Sequence, residues 1–457
     1  MSNPRPSGMF AFTIVAIGQA VSFIGTGMTR FAVIFWAWQE TGQATTLAFT
    51  GFFAFAPAVL VSPLAGALVD RWNRKLVMIL SDLAAGLSTI ALLILFSTDN
   101  LQIWHIYAAG AFAGAFEAFQ WPAYSAVIST MLPKEQYTRA NGMLSLSQSL
   151  GQILAPGIAG AMLAFIDIGG IMTIDVITFT FAILTILIVH IPQPEATAEG
   201  LAGRGNLLQE SLYGFRYILD RTSLLALQLI FTGVNLTATF GLTVLPAMIL
   251  ARTNENPTIL GSVQSAFGVG GVAGGLLLST WGGPRRRIHG VLGGMIIGSL
   301  FGIFLIGLGH GVLLWFLGVL VFSAAIPMLN GSNQAIWQAK VPPDVQGRVF
   351  SVRRLIAQIT APIAMALAGP LADFVFEPAM QPGGPLAPVF GPITGTGAGT
   401  GMSVMFLWAG LLSALVGVAG YLLPFVREVE DILPDHDGLV EQPAPELGQE
   451  TLPEAQI

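Results

Sequence analysis

The chain has 457 residues, of which 54% are hydrophobic, 10% are charged and none is cysteine. Repeated apolar runs of about 20 residues, the length that crosses a hydrocarbon core, exclude a soluble multidomain protein and predict a polytopic helical membrane protein. The missing cysteines exclude disulfides, thiolate metal sites and a cysteine nucleophile, and the net charge of −6 belongs mainly to the C-terminus, where from Glu428 onward there are nine acidic residues and no Lys or Arg.

In chain order, twelve spans are predicted, over 10–38, 45–69, 76–97, 102–131, 140–165, 169–190, 224–250, 258–281, 288–309, 312–338, 349–373 and 402–425. Strands of a barrel would alternate polar and apolar residues, and these runs do not. "MSNPRPSGMF" leads directly into a run too long for a signal peptide. Cytoplasmic placement of residues 1–9 puts every Lys and Arg except Arg30 and Arg252 in or beside cytoplasmic loops, which is the expected asymmetry. Both termini are therefore expected inside an inner or plasma membrane.

The expected units are a six-helix bundle over 10–190, a linker over 191–223, a second six-helix bundle over 224–425 and an acidic, disordered tail over 426–457. In the linker, Leu207, Leu208, Leu212, Phe215 and Ile218 recur at helical spacing and predict an amphipathic helix on the membrane surface. The bundles read as repeats. "QILAP" (Gln152–Pro156) recurs as "QITAP" (Gln358–Pro362), Pro133 and Arg139 recur as Pro342 and Arg348, and the turn at Gly66 has an echo at Gly274. Parallel six-helix repeats around a midplane cavity are a transporter architecture. The segment 374–401, rich in Gly and Pro, reads as a connector or a lid.

"GALVDRWNRK" (Gly66–Lys75) concentrates charge between two apolar runs. Arg71, Arg74 and Lys75 compensate the negative end of span 2 and hold the turn at an anionic lipid face. The stretch resembles the loop motif G-x-L-x-D-R-x-G-R-[RK] of the major facilitator superfamily, with Gly66, Leu68, Asp70, Arg71, Arg74 and Lys75 matching. Asn73 stands where that family has Gly, and Asn tolerates a left-handed backbone. On span 5, "GQILAPGIAG" keeps Gly151, Pro156 and Gly160 of an exporter motif and replaces two of its glycines with Ala155 and Ala159. "QGRVFSVRRLIAQITAP" resembles the macrolide-efflux and enterobactin-exporter branch.

The resemblance implies an all-α fold of twelve membrane helices in two parallel six-helix repeats. It also implies that Asp70 and the arginines latch the halves near the start of span 11, with Arg353 or Arg354 as partner; the alternative is a purely topogenic charge cluster. Spans 1, 4, 7 and 10 would line the cavity. The polar and aromatic candidates there are Gln19, Phe23, Phe116, Gln120, Trp121, Asn235, Asn330 and Gln334. Gly151, Gly157 and Gly160 permit close helix approach, and Pro156 removes a helical hydrogen bond.

Charges inside spans are functional candidates by default. Arg30 on span 1 and Glu117 on span 4 fall at similar depth and are expected to face each other, either as a proton-coupling pair that also contacts substrate or as a fixed ion pair. Asp175 on span 6 is a further proton-coupling candidate or a group satisfied by a neighbour. Asp82 is expected to support the charged turn, Asp373 to be interfacial, and His105 and His310 to snorkel. No metal-ligand spacing, nucleotide loop or nucleophile–base pattern is present, so neither cofactor nor enzyme activity is expected. "FGVGGVAGG" is helix packing, and the run Arg285–Arg287 is topogenic rather than nucleic-acid binding. The reading is a monomeric, proton-coupled exporter of a small amphipathic molecule. A proton-coupled importer and a non-transporting membrane scaffold are the alternatives.

Overall fold

The computed structural model describes residues 8–69, 72–192, 207–342 and 345–435. Every regular element among them is helical. The first half contains α1 (Gly8–Thr41), α2 (Ala44–Val69), α3 (Arg74–Ser97), α4 (Ile103–Met131), α5 (Tyr137–Met162) and α6 (Ile168–Ile188). After the linker helix α7 (Leu207–Leu219), α8 (Thr222–Thr243) runs into α9 (Leu245–Arg252), and α10 (Pro257–Trp281) follows. The join at Val244 precedes Pro246, which has no N–H to continue the ladder and opens α9 instead. Next come α11 (Arg287–Ile297), a π-helical turn over Gly298–Ile303, α12 (Phe304–Leu308) and α13 (Val312–Lys340). The last membrane elements are α14 (Gln346–Gln358), α15 (Thr360–Leu371), a π turn over Ala372–Phe376, α16 (Glu377–Met380), α17 (Ala387–Thr394) and α18 (Thr400–Leu422). Two short helices, α19 (Pro424–Arg427) and α20 (Val429–Ile432), close the described chain.

Ten helical stretches among the described residues are long and apolar enough to cross a membrane. The equally long α4 and α5 are more polar, carrying Glu117 and Gln120, and Gln148 and Gln152. The chain is therefore an all-helical, multi-pass membrane protein.

The apolar core is divided unevenly. One cluster joins the halves at the end of the bundle away from the termini: Phe31, Phe35 and Trp38 of α1 share it with Val244, Met248, Leu260, Trp315 and Phe406. At the end that carries the termini there are two separate clusters. One holds Phe12, Met78, Tyr124 and Ile186 of the first half; the other holds Ile218, Leu224, Trp337 and Val349 of the second. Among the described residues the apolar core is thus shared across the midline at the distal end and divided in two at the terminal end.

Local structure departs from the sequence reading or adds to it at four places. Asn73 is extended (φ −64°, ψ 113°), and its side chain caps α3 by accepting from Leu76 N, so the turn uses a cap and not a left-handed residue. The linker helix forms, but it docks on α14: Gly214 packs against Arg348 O, and Arg348 lies over the Tyr213 ring. Chain expected to begin a free tail at 426 is docked as far as 435. Val426 and Val429 are buried, Glu430 accepts from Arg287 N and Ile288 N at the start of α11, and the Lys340 ammonium reaches Asp435 at 2.8 Å. Residues 374–401 carry α16 and α17.

Candidate functional site

The helix α1 is the axis of the site. Gln19, Thr26 and Arg30 are spaced 7 and 4 residues apart, which keeps them on one face of the helix. Each meets a carboxylate on a different neighbour. Gln19 Nε2 donates to Asp82 Oδ2 on α3 at 2.5 Å, Thr26 Oγ1 to Asp175 Oδ1 on α6 at 3.1 Å, and Arg30 to Glu117 Oε2 on α4 at 2.5 Å.

The environments of the three carboxylates differ. Arg30 and Glu117 side chains are 58% and 47% exposed. An exposed ion pair midway along membrane helices faces water and not lipid, because a charge in hydrocarbon costs several kcal/mol. Asp175 is buried and takes a second hydrogen bond, from Thr89 Oγ1 of α3 at 2.8 Å. Asp82 is buried and is bracketed by amides, with Gln120 Nε2 donating to Oδ1 at 2.9 Å.

The expected Arg30–Glu117 encounter is present. Gln19, expected to line the cavity, is buried on Asp82, and Gln120 is half-buried on the same carboxylate. Asp82 therefore does not serve the charged turn. There, Lys75 Nζ donates to Leu187 O and Val189 O, satisfying carbonyls at the end of α6. Phe23 packs on Gly151. Phe116 lies in a ring series with Phe112 and Phe119 along α4. Asn235 is half-buried on α8 and Asn330 is exposed on α13. Gln334 accepts from Arg353 at 2.8 Å, and that guanidinium also lies over the Trp337 ring. Arg353 is thus bound within its own half, while Arg354 is exposed. Gly66 lies in the last turn of α2, and Arg74 opens α3. Asp70, Arg71 and the side chain of Trp121 fall outside what the structure describes. His105 Nδ1 accepts from Gln102 N at the start of α4, and a His310 ring nitrogen bonds Ile393 O.

The halves meet by close backbone approach and by side-chain caps. A Cβ on Gly160 would stand 2.5 Å from Pro257 O, and Gly261 packs against Pro156 O, so α5 and α10 cross where neither carries a side chain. Thr258 Oγ1 donates to Gly160 O, and Ser265 Oγ to Ile153 O. Below this crossing lies a cavity of about 400 Å³, lined by Gln152 and Pro156 from one half and Leu242, Leu245, Gln264 and Phe267 from the other. At the distal face, Asp373 of the second half accepts from Ala44 N (3.0 Å), Thr45 N (2.7 Å) and Thr45 Oγ1 (2.5 Å), capping α2 of the first half. Glu377, four residues on, caps α18 through Gly399 N and Met402 N. The sequence reading missed both caps. Its only signal for them was an acidic pair at 373 and 377 beside a Pro/Gly-rich segment.

Two helical halves closed against each other at one face, with a polar, water-facing site between helices, define a membrane transporter. The Major Facilitator Superfamily family model matches residues 15–365, and the chain belongs to that family. The family comprises transporters rather than enzymes. The chain is similar to macrolide efflux protein A of Streptococcus pyogenes, with 29% identity over 373 residues covering 79% of this chain and 89% of that protein. It is also similar to the multidrug efflux pump Tap of Mycolicibacterium fortuitum, with 26% identity over 446 residues covering 94% and 99%. Its fold resembles a bacterial homologue of the lysosomal transporter Spinster, solved inward-facing and unoccupied (TM-score 0.64, 14% identity, 93% of this chain and 98% of that one). A bacterial homologue of the iron transporter ferroportin, solved inward-facing, is similar to the same degree (TM-score 0.65, 15% identity, 91% and 99%).

Proposed function

We propose that the chain is a secondary active exporter of a small amphipathic molecule, driven by protons and working by alternating access. In this reading twelve spans form two parallel six-helix halves, the protein is a monomer in an inner or plasma membrane, and both termini are cytoplasmic. The observation that carries it is the half-exposed Arg30–Glu117 pair in a molecule whose core is joined at the distal end and split at the terminal end. A charged pair in a cleft open to one side is what a substrate-loading state requires. The distal face would then be the outside, and this state the inward-facing one. The export-pump names of two relatives support the direction of transport.

Glu117 is the proposed coupling carboxylate. It holds Arg30 when ionised and releases it when protonated, so substrate and proton compete for one site. Asp175, which accepts from Thr89 and from Thr26, one turn before Arg30 on α1, is a further candidate for proton coupling. The charged turn from Gly66 to Lys75, with Arg353 and Arg354, is proposed to latch the halves once the cleft has closed. The test is uptake of a radiolabelled macrolide into proteoliposomes under an imposed pH gradient. Glu117→Gln is expected to abolish gradient-driven uptake and to keep exchange of the same macrolide without a gradient. Undiminished driven uptake by this variant would remove Glu117 from coupling, and absence of any exchange by the wild type would remove export of macrolides.

A further inference from the structure

Asp82 is 4% exposed and lies well inside α3. Its two oxygens each accept one amide, from Gln19 at 2.5 Å and from Gln120 at 2.9 Å. The groups that face it are neutral or acidic. From α1 there is Gln19. From α4 there are Gln120 and the phenol of Tyr124, with Glu117 one turn further along. From α6 there is Asp175, reached two turns on through Thr89. The cations are remote or engaged. Arg30 is 11 residues beyond Gln19 on α1, a rise of roughly 16 Å. Lys75, two turns back on α3, is bound to carbonyls at the end of α6, and Arg74 lies at the helix start. The pocket also has unspent hydrogen-bonding capacity: the Tyr124 hydroxyl is buried without a hydrogen-bond partner, one turn along α4 from Gln120. Among the described residues no cation pairs with Asp82, and a membrane carboxylate without a countercharge is costly to keep unless it serves the transport cycle.

We propose that Asp82 is a second proton-binding site of the transport cycle and that Gln120 is the side chain that reports its state to the cleft. This rests on the proton-coupled reading above. The ionised carboxylate suits the observed arrangement, in which both oxygens accept N–H groups. A proton taken from cleft water occupies one oxygen and turns it into a donor, so the amide facing that oxygen has to present its carbonyl instead. Gln19 is 1% exposed and packed in place, whereas Gln120 is half-buried and shares a face of α4 with Glu117. Gln120 is the amide that turns. It offers Oε1 to the new O–H and swings Nε2 toward the cleft, adding a donor beside the Arg30–Glu117 pair. Only an O–H bond forms, and it breaks when the proton returns to water.

Infrared titration of the purified full chain tests this without substrate or gradient. A buried carboxylic-acid C=O band is expected that Asp82→Asn removes and that Glu117→Gln and Asp175→Asn leave in place. Gln120→Leu, which keeps the carboxyl and deletes its partner, is expected to shift the frequency of that band, so the assignment survives if Asp82→Asn fails to fold. A band that persists unchanged in Asp82→Asn, or a wild type with no such band across the titration, would overturn the proposal. In proteoliposomes Asp82→Asn is expected to exchange a radiolabelled macrolide and to lose accumulation driven by a pH gradient; accumulation at the wild-type level would also overturn it. A wild type that carries the band but moves no macrolide would sink the export reading and leave the proton site standing.

Discussion

The three carboxylates beside α1 should respond differently to removal, because burial sets what each leaves behind. Glu117 and Arg30 are about half exposed, so water replaces the lost partner and the pair contributes no more than about 1 kcal/mol to stability. Asp175 is 1% exposed and accepts from Thr26 and Thr89. Asp175→Ala takes an acceptor from the half-buried Thr26 hydroxyl and from the buried Thr89 hydroxyl, which keeps only a long bond to Ala85 O, at a cost on the order of 1–3 kcal/mol for a group left unsatisfied. Thermal unfolding in detergent should therefore show Asp175→Ala well below wild type and Glu117→Gln close to it, and equal shifts would contradict the burial argument. The Arg30–Glu117 meeting was legible in the sequence because charges inside apolar spans are rare and helical rise converts residue number into depth. The Gln19–Asp82–Gln120 cluster was not. Depth puts Gln19 near the cleft, but only packing decides which face of α1 points inward, and Asp82 lies close enough in sequence to the charged turn to be read with it.

At the scale of helices, the distal closure combines the α5–α10 glycine crossing, the packing of Gly369 of α15 on Thr45 and Ala48 of α2, and one borrowed cap. Asp373 supplies to α2 what the residues just before that helix do not, since Gly42 and Gln43 give the first amides no side-chain cap among the described residues. Asp373→Ala should weaken the closed distal face by about 1 kcal/mol, the usual worth of an N-cap, or roughly fivefold in the ratio of distal-closed to distal-open molecules. Spin labels on the distal ends of α2 and α15 would read this as a growing long-distance population, while Asp373→Asn, whose side chain still offers an acceptor, should change it less. An unchanged distribution in Asp373→Ala would assign closure to the glycine contacts and the shared apolar cluster. The helices themselves were legible from runs of apolar residues, and the α5 glycines from their spacing. The cap was not, because Asp373 and Ala44 are 329 residues apart and nothing local marks an acid at a helix end as the partner of another helix. The π turns at Gly298–Ile303 and Ala372–Phe376 were equally hidden, since each adds one residue to a turn without altering its apolar composition.

For the whole molecule, the division of the core constrains how the halves can move. The cluster shared across the midline is rigid apolar packing plus the Asp373 cap, whereas the two terminal clusters already stand apart as finished cores. Closing the terminal end while the distal end stays packed would require each half to bend. Rocking two preformed halves about the cavity beneath the α5–α10 crossing requires only that the distal contacts part. A covalent tie across those contacts should therefore hold the protein in the state seen here. The sequence has no cysteine, so an introduced pair is the sole thiol source. Thr45 Oγ1 and Asp373 Oδ2 lie 2.5 Å apart, so cysteines at these two positions face each other across the halves and can be joined by a short thiol cross-linker. Thr45→Cys/Asp373→Cys protein joined by a short, reducible bis-methanethiosulfonate cross-linker should lose transport in proteoliposomes and regain it on reduction, with each single variant active throughout. Exchange that survives complete cross-linking would mean that the halves do not separate at this face, and the split core would then need another explanation.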